Sequence, residues 1–139
     1  MMKYLITAFL LIFSVCSQAA DVEVIVHGVD RPGGTLMVGF YNNASDFRVN
    51  ELPESPKVPV KAPGPVITTA RNLPPGLYAV AVVWDTNGNG VLDTKGRFKI
   101  PVEPYGFSNN PKTRFGPPEF AKCVFRVPEN GGRIEVFLK

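Results

Sequence analysis

Apolar and polar side chains alternate with a period of two along much of this chain, the pattern of strands with one buried face. Val22, Val24 and Val26 share one face, and Glu23, Ile25 and His27 share the other. Beyond Asp30-Arg31-Pro32-Gly33-Gly34, the residues Leu36, Val38 and Phe40 resume the alternation against Met37 and Gly39, which predicts the return strand of a hairpin. Residues 42–64 break the pattern. Pro53, Pro56, Pro59 and Pro63 lie in polar surroundings there, and proline cannot donate to a sheet ladder, so a loop or an edge segment is expected. A short strand over residues 66–71 leads into Asn72-Leu73-Pro74-Pro75-Gly76, a turn in which proline presets φ and glycine accepts a positive one.

The next run is apolar on both faces. Leu77, Ala79, Ala81 and Val83 point one way, and Tyr78, Val80, Val82 and Trp84 the other, which predicts a central strand covered on both sides. A further strand is expected over residues 98–102, followed by an irregular stretch to Pro118. At the end of the chain, residues 123–127 and 134–138 flank Pro128-Glu129-Asn130-Gly131-Gly132, which predicts a closing hairpin. About seven short strands with turn signals between them, and no amphipathic helix, make an all-β, immunoglobulin-like sandwich the expected architecture.

The first residues follow a different logic. Lys3 is followed by an apolar run over residues 5–15 and then by Ser17-Gln18-Ala19-Ala20. The run is too short for a bilayer span of about 20 residues. Its flanks fit a secretory signal peptide over residues 1–19 that is cleaved before Ala20, leaving one domain over residues 20–139. No second apolar run follows, so no transmembrane segment is expected in the mature chain, and its expected place is the periplasm or the exterior. The net charge of +3 is spread thinly over Arg31, Arg48, Lys57, Lys61, Arg71 and others. No run of like charge points to nucleic acid. Cys16 departs with the leader, so Cys123 is unpaired in a compartment where disulfides form. Its strand-like neighbours Phe125 and Val127 suggest that burial protects it.

One segment carries metal-ligand spacing. Asp85-Thr86-Asn87-Gly88-Asn89-Gly90-Val91-Leu92-Asp93 reads D-x-N-x-N-G-x-x-D. Calcium takes six to eight oxygens, and an EF-type loop supplies them at alternate positions. Here they would be Asp85, Asn87, Asn89, the Val91 carbonyl and Asp93, with Leu92 anchoring the loop to the core. The bidentate glutamate of the twelfth position is absent; that position is Gly96, so any Ca²⁺ site would be weak unless a distant carboxylate such as Glu103 stood in. The competing reading is a metal-free tip, since Asn-Gly pairs and Asx-turns close such loops unaided.

A second stretch, residues 101–110, offers Glu103, Tyr105, Phe107, Ser108, Asn109 and Asn110, with Phe115 and Phe120 further on. Rigid aromatics beside adaptable amides make a candidate binding surface. The same residues could equally lid one end of a sandwich. Catalysis has little to stand on. Asp85, Asp93 and Glu103 could pair as acid and base on a glycan, but no nucleophile elbow, phosphate loop or zinc set occurs, and no catalytic residue is assigned. The expected role is a non-enzymatic envelope protein whose partner is another envelope protein, a glycan or a small ligand. A glycan-acting enzyme and a carrier of a small apolar ligand are the alternatives.

In combination, these motifs resemble a bacterial family of exported proteins designated domain of unknown function 2141. The resemblance rests on residues 72–80, the aspartate loop, residues 101–110, and Gly116-Pro117-Pro118-Glu119-Phe120. The Leu-Pro-Pro-Gly-x-Tyr stretch alone is also similar to transthyretin-like and carboxypeptidase-regulatory-like sandwiches. The resemblance implies a seven-stranded, prealbumin-like sandwich in the envelope or outside the cell, and it brings no activity.

Overall fold

The doubly apolar run becomes the spine of the molecule. In the computed structural model, which describes residues 18–47, 52 and 56–139, it forms strand β5 (Gly76–Asp85), and every side chain from Tyr78 to Asp85 is buried. Strand β1 (Ala20–His27) likewise buries Val22, Val24 and Val26 and leaves its alternate residues partly in water, as the period of two requires. The remaining elements are β2 (Thr35–Tyr41), β3 (Lys57–Pro59), β4 (Val66–Leu73), β6 (Thr94–Lys95), β7 (Ile100–Pro101), β8 (Tyr105–Phe107), the helical turn α1 (Phe120–Cys123), β9 (Phe125–Val127) and β10 (Gly132–Phe137). The expected signal peptide over residues 1–19 lies almost wholly outside the described residues. Among those residues, no helix is long and apolar enough to cross a membrane.

The chain is all-β, built on two main sheets. One has the order β10-β1-β4, with β10 parallel and β4 antiparallel to β1. The other has the order β3-β2-β5-β8, with β9 also paired to β5. Ten strands stand among the described residues where about seven were expected. One reason is that β8 and β9 divide a single edge of β5, with Ala81 opposite Phe107 and Tyr78 opposite Phe125. The other is that residues 94–101 fold into a small hairpin of their own, β6 with β7.

Both expected hairpins turn out to be crossings between sheets. β1 and β2 do not pair, because the connection over residues 28–34 carries the chain from one sheet to the other; Gly33 N–H and Gly34 C=O bond instead to Val60 on the far side of β3. The turn at residues 128–131 does the same, taking the chain from β9 beside β5 to β10 beside β1. Turn chemistry marks where a chain reverses but not which sheet receives it.

Two cores result. Between the sheets, Val24 and Val26 of β1 and Val136 of β10 meet Leu36, Val38, Val80, Val82 and Trp84. The indole N–H of Trp84 donates to the Gly33 carbonyl at 3.0 Å, and the Arg31 guanidinium lies 4.8 Å from the ring centroid. The outer face of the larger sheet is apolar too, and loops cover it. Met37, Tyr41, Ala79, Ala81 and Val83 pack against Leu92, Phe107 and Cys123, with Phe47, Leu52 and Phe120 on top. Small residues make room for these rings. Gly39 lies opposite Ala81 in the register, and a Cβ on Gly39 would meet the Tyr41 ring at 2.9 Å. Phe47 is the hub, edge-on to Tyr41, Phe107 and Phe120 at centroid distances of 5.2, 5.9 and 5.8 Å. Such geometry suits the ring quadrupoles.

Candidate functional site

Loops gather where β5 ends at Asp85, and the aspartate loop is the largest of them. Asp85 is buried, and its carboxylate is the acceptor around which the loop winds. Oδ1 accepts from the N–H groups of Gly88 (2.8 Å) and Asn89 (3.2 Å), and Oδ2 accepts from Gly90 N–H (2.7 Å). Three backbone donors can reach one carboxylate because Gly88 and Gly90 take φ of 74° and 81°, a left-handed conformation that disfavours residues with a Cβ. Asn87 and Asn89 each make an Asx-turn, accepting from the N–H two residues on, Asn89 at 3.2 Å and Val91 at 3.1 Å.

Their amide nitrogens turn to Asp93. Asn87 Nδ2 donates to Asp93 Oδ2 at 2.6 Å, and Asn89 Nδ2 donates to both Asp93 oxygens at 2.8 and 2.9 Å. Leu92 points into the outer core, as the anchoring role requires, while Val91 faces solvent.

Glu103 joins the ends of the loop from below. Its Oε1 accepts from Thr86 N–H (2.9 Å) and from the Thr86 hydroxyl (3.2 Å), and its Oε2 accepts from Asp93 N–H (3.0 Å). The side chain is buried. Two further backbone bonds reinforce the clamp, from Val102 N–H to the Asp93 carbonyl and from Trp84 N–H to the Pro104 carbonyl, both at 2.9 Å. Asp85, Asn87, Asn89 and Asp93 are therefore brought together, and Glu103 is brought to the same loop, but each oxygen named already has a donor within the chain. Among the described residues, no group of three or more histidine, cysteine, aspartate or glutamate side chains converges as a metal cage.

The second candidate stretch is woven into the framework. Phe107 is buried in the outer core. Ser108 extends the pairing of β8 with a side chain: its Oγ accepts from Val80 N–H at 2.9 Å and donates to the Cys123 carbonyl. Asn109 and Asn110 both adopt left-handed φ, 63° and 47°, a region where asparagine is enriched. Asn109 Nδ2 donates to the carbonyls of Lys122 (3.3 Å) and Val124 (2.8 Å) at the end of α1. Asn110 imitates a strand: its Nδ2 donates to the Glu135 carbonyl at 3.0 Å, and its Oδ1 accepts from Phe137 N–H at 2.9 Å. Tyr105 is half-buried, its hydroxyl 3.4 Å from that of Thr113.

Cys123 closes α1 rather than opening a strand, and it is fully buried. Burial pushes its thiol up to about 11, so the thiolate needed for nucleophilic chemistry is suppressed at neutral pH. His27 is half-buried, stacked on Phe137 at 4.5 Å and 3.3 Å from Glu135 Oε1. The surface that sequence reasoning passed over is the β6–β7 hairpin, where Phe98 stands in water. The signal was an aromatic set among cations, Lys95-Gly96-Arg97-Phe98-Lys99.

Comparison with known proteins finds that residues 24–135 match a family described as an uncharacterized protein conserved in bacteria, domain of unknown function 2141. No curated protein and no solved structure matches the chain.

Proposed function

The chain belongs to the bacterial family of domain of unknown function 2141, and from that premise we propose that it is an exported, non-enzymatic sandwich of prealbumin-like type that binds its partner through the loops at one end. The observation that carries this reading is the use made of the carboxylates. Asp85, Asp93 and Glu103 are the residues an acid–base mechanism would need, and all three accept hydrogen bonds from the loop's own N–H groups. A carboxylate committed to donors of its own loop, backbone for Asp85 and Glu103 and side-chain amide for Asp93, organises that loop. Loops held this firmly on a rigid sheet are where binding residues are commonly presented. The test is a panel of glycoside and peptide substrates. No turnover is expected from the wild type. Turnover that vanishes in both Asp93→Asn and Glu103→Gln, with folding intact, would overturn the reading.

Calcium belongs to this proposal only as a weak ligand of the aspartate loop. An ion held by Asp85, Asn87, Asn89, the Val91 carbonyl and Asp93 must first break the three amide bonds to Asp93. Its Kd then lies at or beyond the weak end of the extracellular range, about 10⁻³ M. At about 1 mM calcium, stabilisation is about 0.4 kcal/mol, a rise of roughly 1–3 °C in Tm. Melts with calcium, magnesium and chelator check this. Calcium should help more than magnesium, and Asp93→Asn should remove the effect. A Tm indifferent to about 10 mM calcium would leave the loop closed by its amides alone. Asp85→Ala is the wrong control, because it strips the loop of the acceptor for three backbone N–H groups whether or not a metal binds.

A further inference from the structure

The β6–β7 hairpin ends in a four-residue turn, Gly96-Arg97-Phe98-Lys99, closed by a bond from Lys99 N–H to the Gly96 carbonyl at 3.2 Å. Arg97 and Phe98 are its central residues, so they form the outermost point. Phe98 is 86% exposed, and Ile100 and Val102 beside it are 59% and 54% exposed. Lys95, Arg97 and Lys99 surround these apolar groups, and none of the three forms an ion pair among the described residues. There is no acid between Thr94 and Val102. Of the acids that bracket the hairpin, Glu103 is buried against N–H donors, and half-buried Asp93 is held by the side-chain amides of Asn87 and Asn89. A second loop repeats the chemistry: Phe115 is fully exposed just after Lys112 and Arg114, and the Thr113 hydroxyl lies 3.4 Å from that of Tyr105, four residues beyond the end of β7.

We infer that this hairpin docks the protein on an anionic lipid surface, with Phe98 entering the headgroup region and Lys95, Arg97 and Lys99 meeting lipid phosphates. A ring left in water gains from transfer to the acyl boundary, and cations beside it are attracted by the surface potential. The shape favours lipid over a protein partner. A stable protein interface needs about 800 Å² from each side, which a convex two-residue tip lacks, whereas a bilayer accepts a single ring. The inference rests on the loop-end binding reading and supplies its ligand class.

The test is co-sedimentation with vesicles of phosphatidylcholine alone and of phosphatidylcholine with about one-third phosphatidylglycerol. Binding is expected to the anionic vesicles and to weaken as salt is raised. Phe98→Ala should lower the affinity about tenfold, and Lys95→Gln with Arg97→Gln about twenty-five-fold, near fivefold per cation. The side chains are exposed, so both variants should melt like the wild type. A Phe98→Trp variant should shift its emission to the blue on anionic vesicles. Absence of binding overturns the inference. So does binding unaltered by Phe98→Ala, as insertion of apolar residues 5–15 would give. Either result leaves the non-enzymatic reading to its own test, which is turnover.

Discussion

Phe107→Ala is expected to cost about 3–5 kcal/mol, the loss typical of a buried aromatic cut back to a methyl group. The ring is 3% exposed and sits edge-on between Phe47 and Tyr105, over the small side chain of Ala81. Its cross-strand neighbour Ala81 has too small a side chain to refill the space, so the cavity persists. Asn109→Ala is the informative companion. It forfeits two bonds to the end of α1 and puts alanine, which tolerates the left-handed region less well than asparagine, at φ 63°, a loss of about 1–2 kcal/mol. Urea denaturation of the two variants should therefore rank Phe107 well above Asn109. A cost under about 1 kcal/mol for Phe107→Ala would mean that the loops do not form a second core on the outer face.

Glu103→Ala should be comparably damaging, at about 3–5 kcal/mol, for an unrelated reason. No large volume is lost. Two part-buried backbone donors, Thr86 N–H and Asp93 N–H, lose a charged acceptor that is itself buried, and each orphaned donor costs about 1–3 kcal/mol. Glu103→Gln should cost less, because it keeps one carbonyl oxygen, although its amide then faces a donor. Amide hydrogen exchange separates this from general loosening. Protection should fall first at Thr86 and Asp93 and only later in β1 and β10. Unchanged protection at both amides, with stability intact, would show that the carboxylate does not clamp the loop.

How much of this was readable beforehand follows from the range of each interaction. The period of two in β1 and the doubly apolar β5 are local signals, and both strands lie where the pattern put them. Pairing is not local. Nothing in residues 22–27 announces that the partner is 132–137, in parallel register. The same limit governs the candidate site. The aspartate loop was legible as a sharp, oxygen-rich turn because its Asx-turns span two residues. Glu103 was legible as a carboxylate that could reach this loop, but not as the acceptor for the Thr86 and Asp93 N–H groups, which lie 17 and 10 residues back. Ser108, Asn109 and Asn110 carry the same lesson: amides and hydroxyls suited to recognition are equally suited to standing in for backbone. Phe47, the hub of the outer core, sits at the edge of a proline-rich segment with no periodicity to mark it.

The parallel pairing of β1 with β10 also sets a schedule. The first strand of the domain is the middle strand of its sheet, and the partner along one of its edges is the last strand of the chain. A nascent polypeptide still missing residues 132–137 holds β1 with one edge open and leaves Val136 out of the shared core. Closure over so long a sequence separation is slow by nature. The smaller sheet and the core it shares with the larger one are therefore completed only once residues 132–137 are in place.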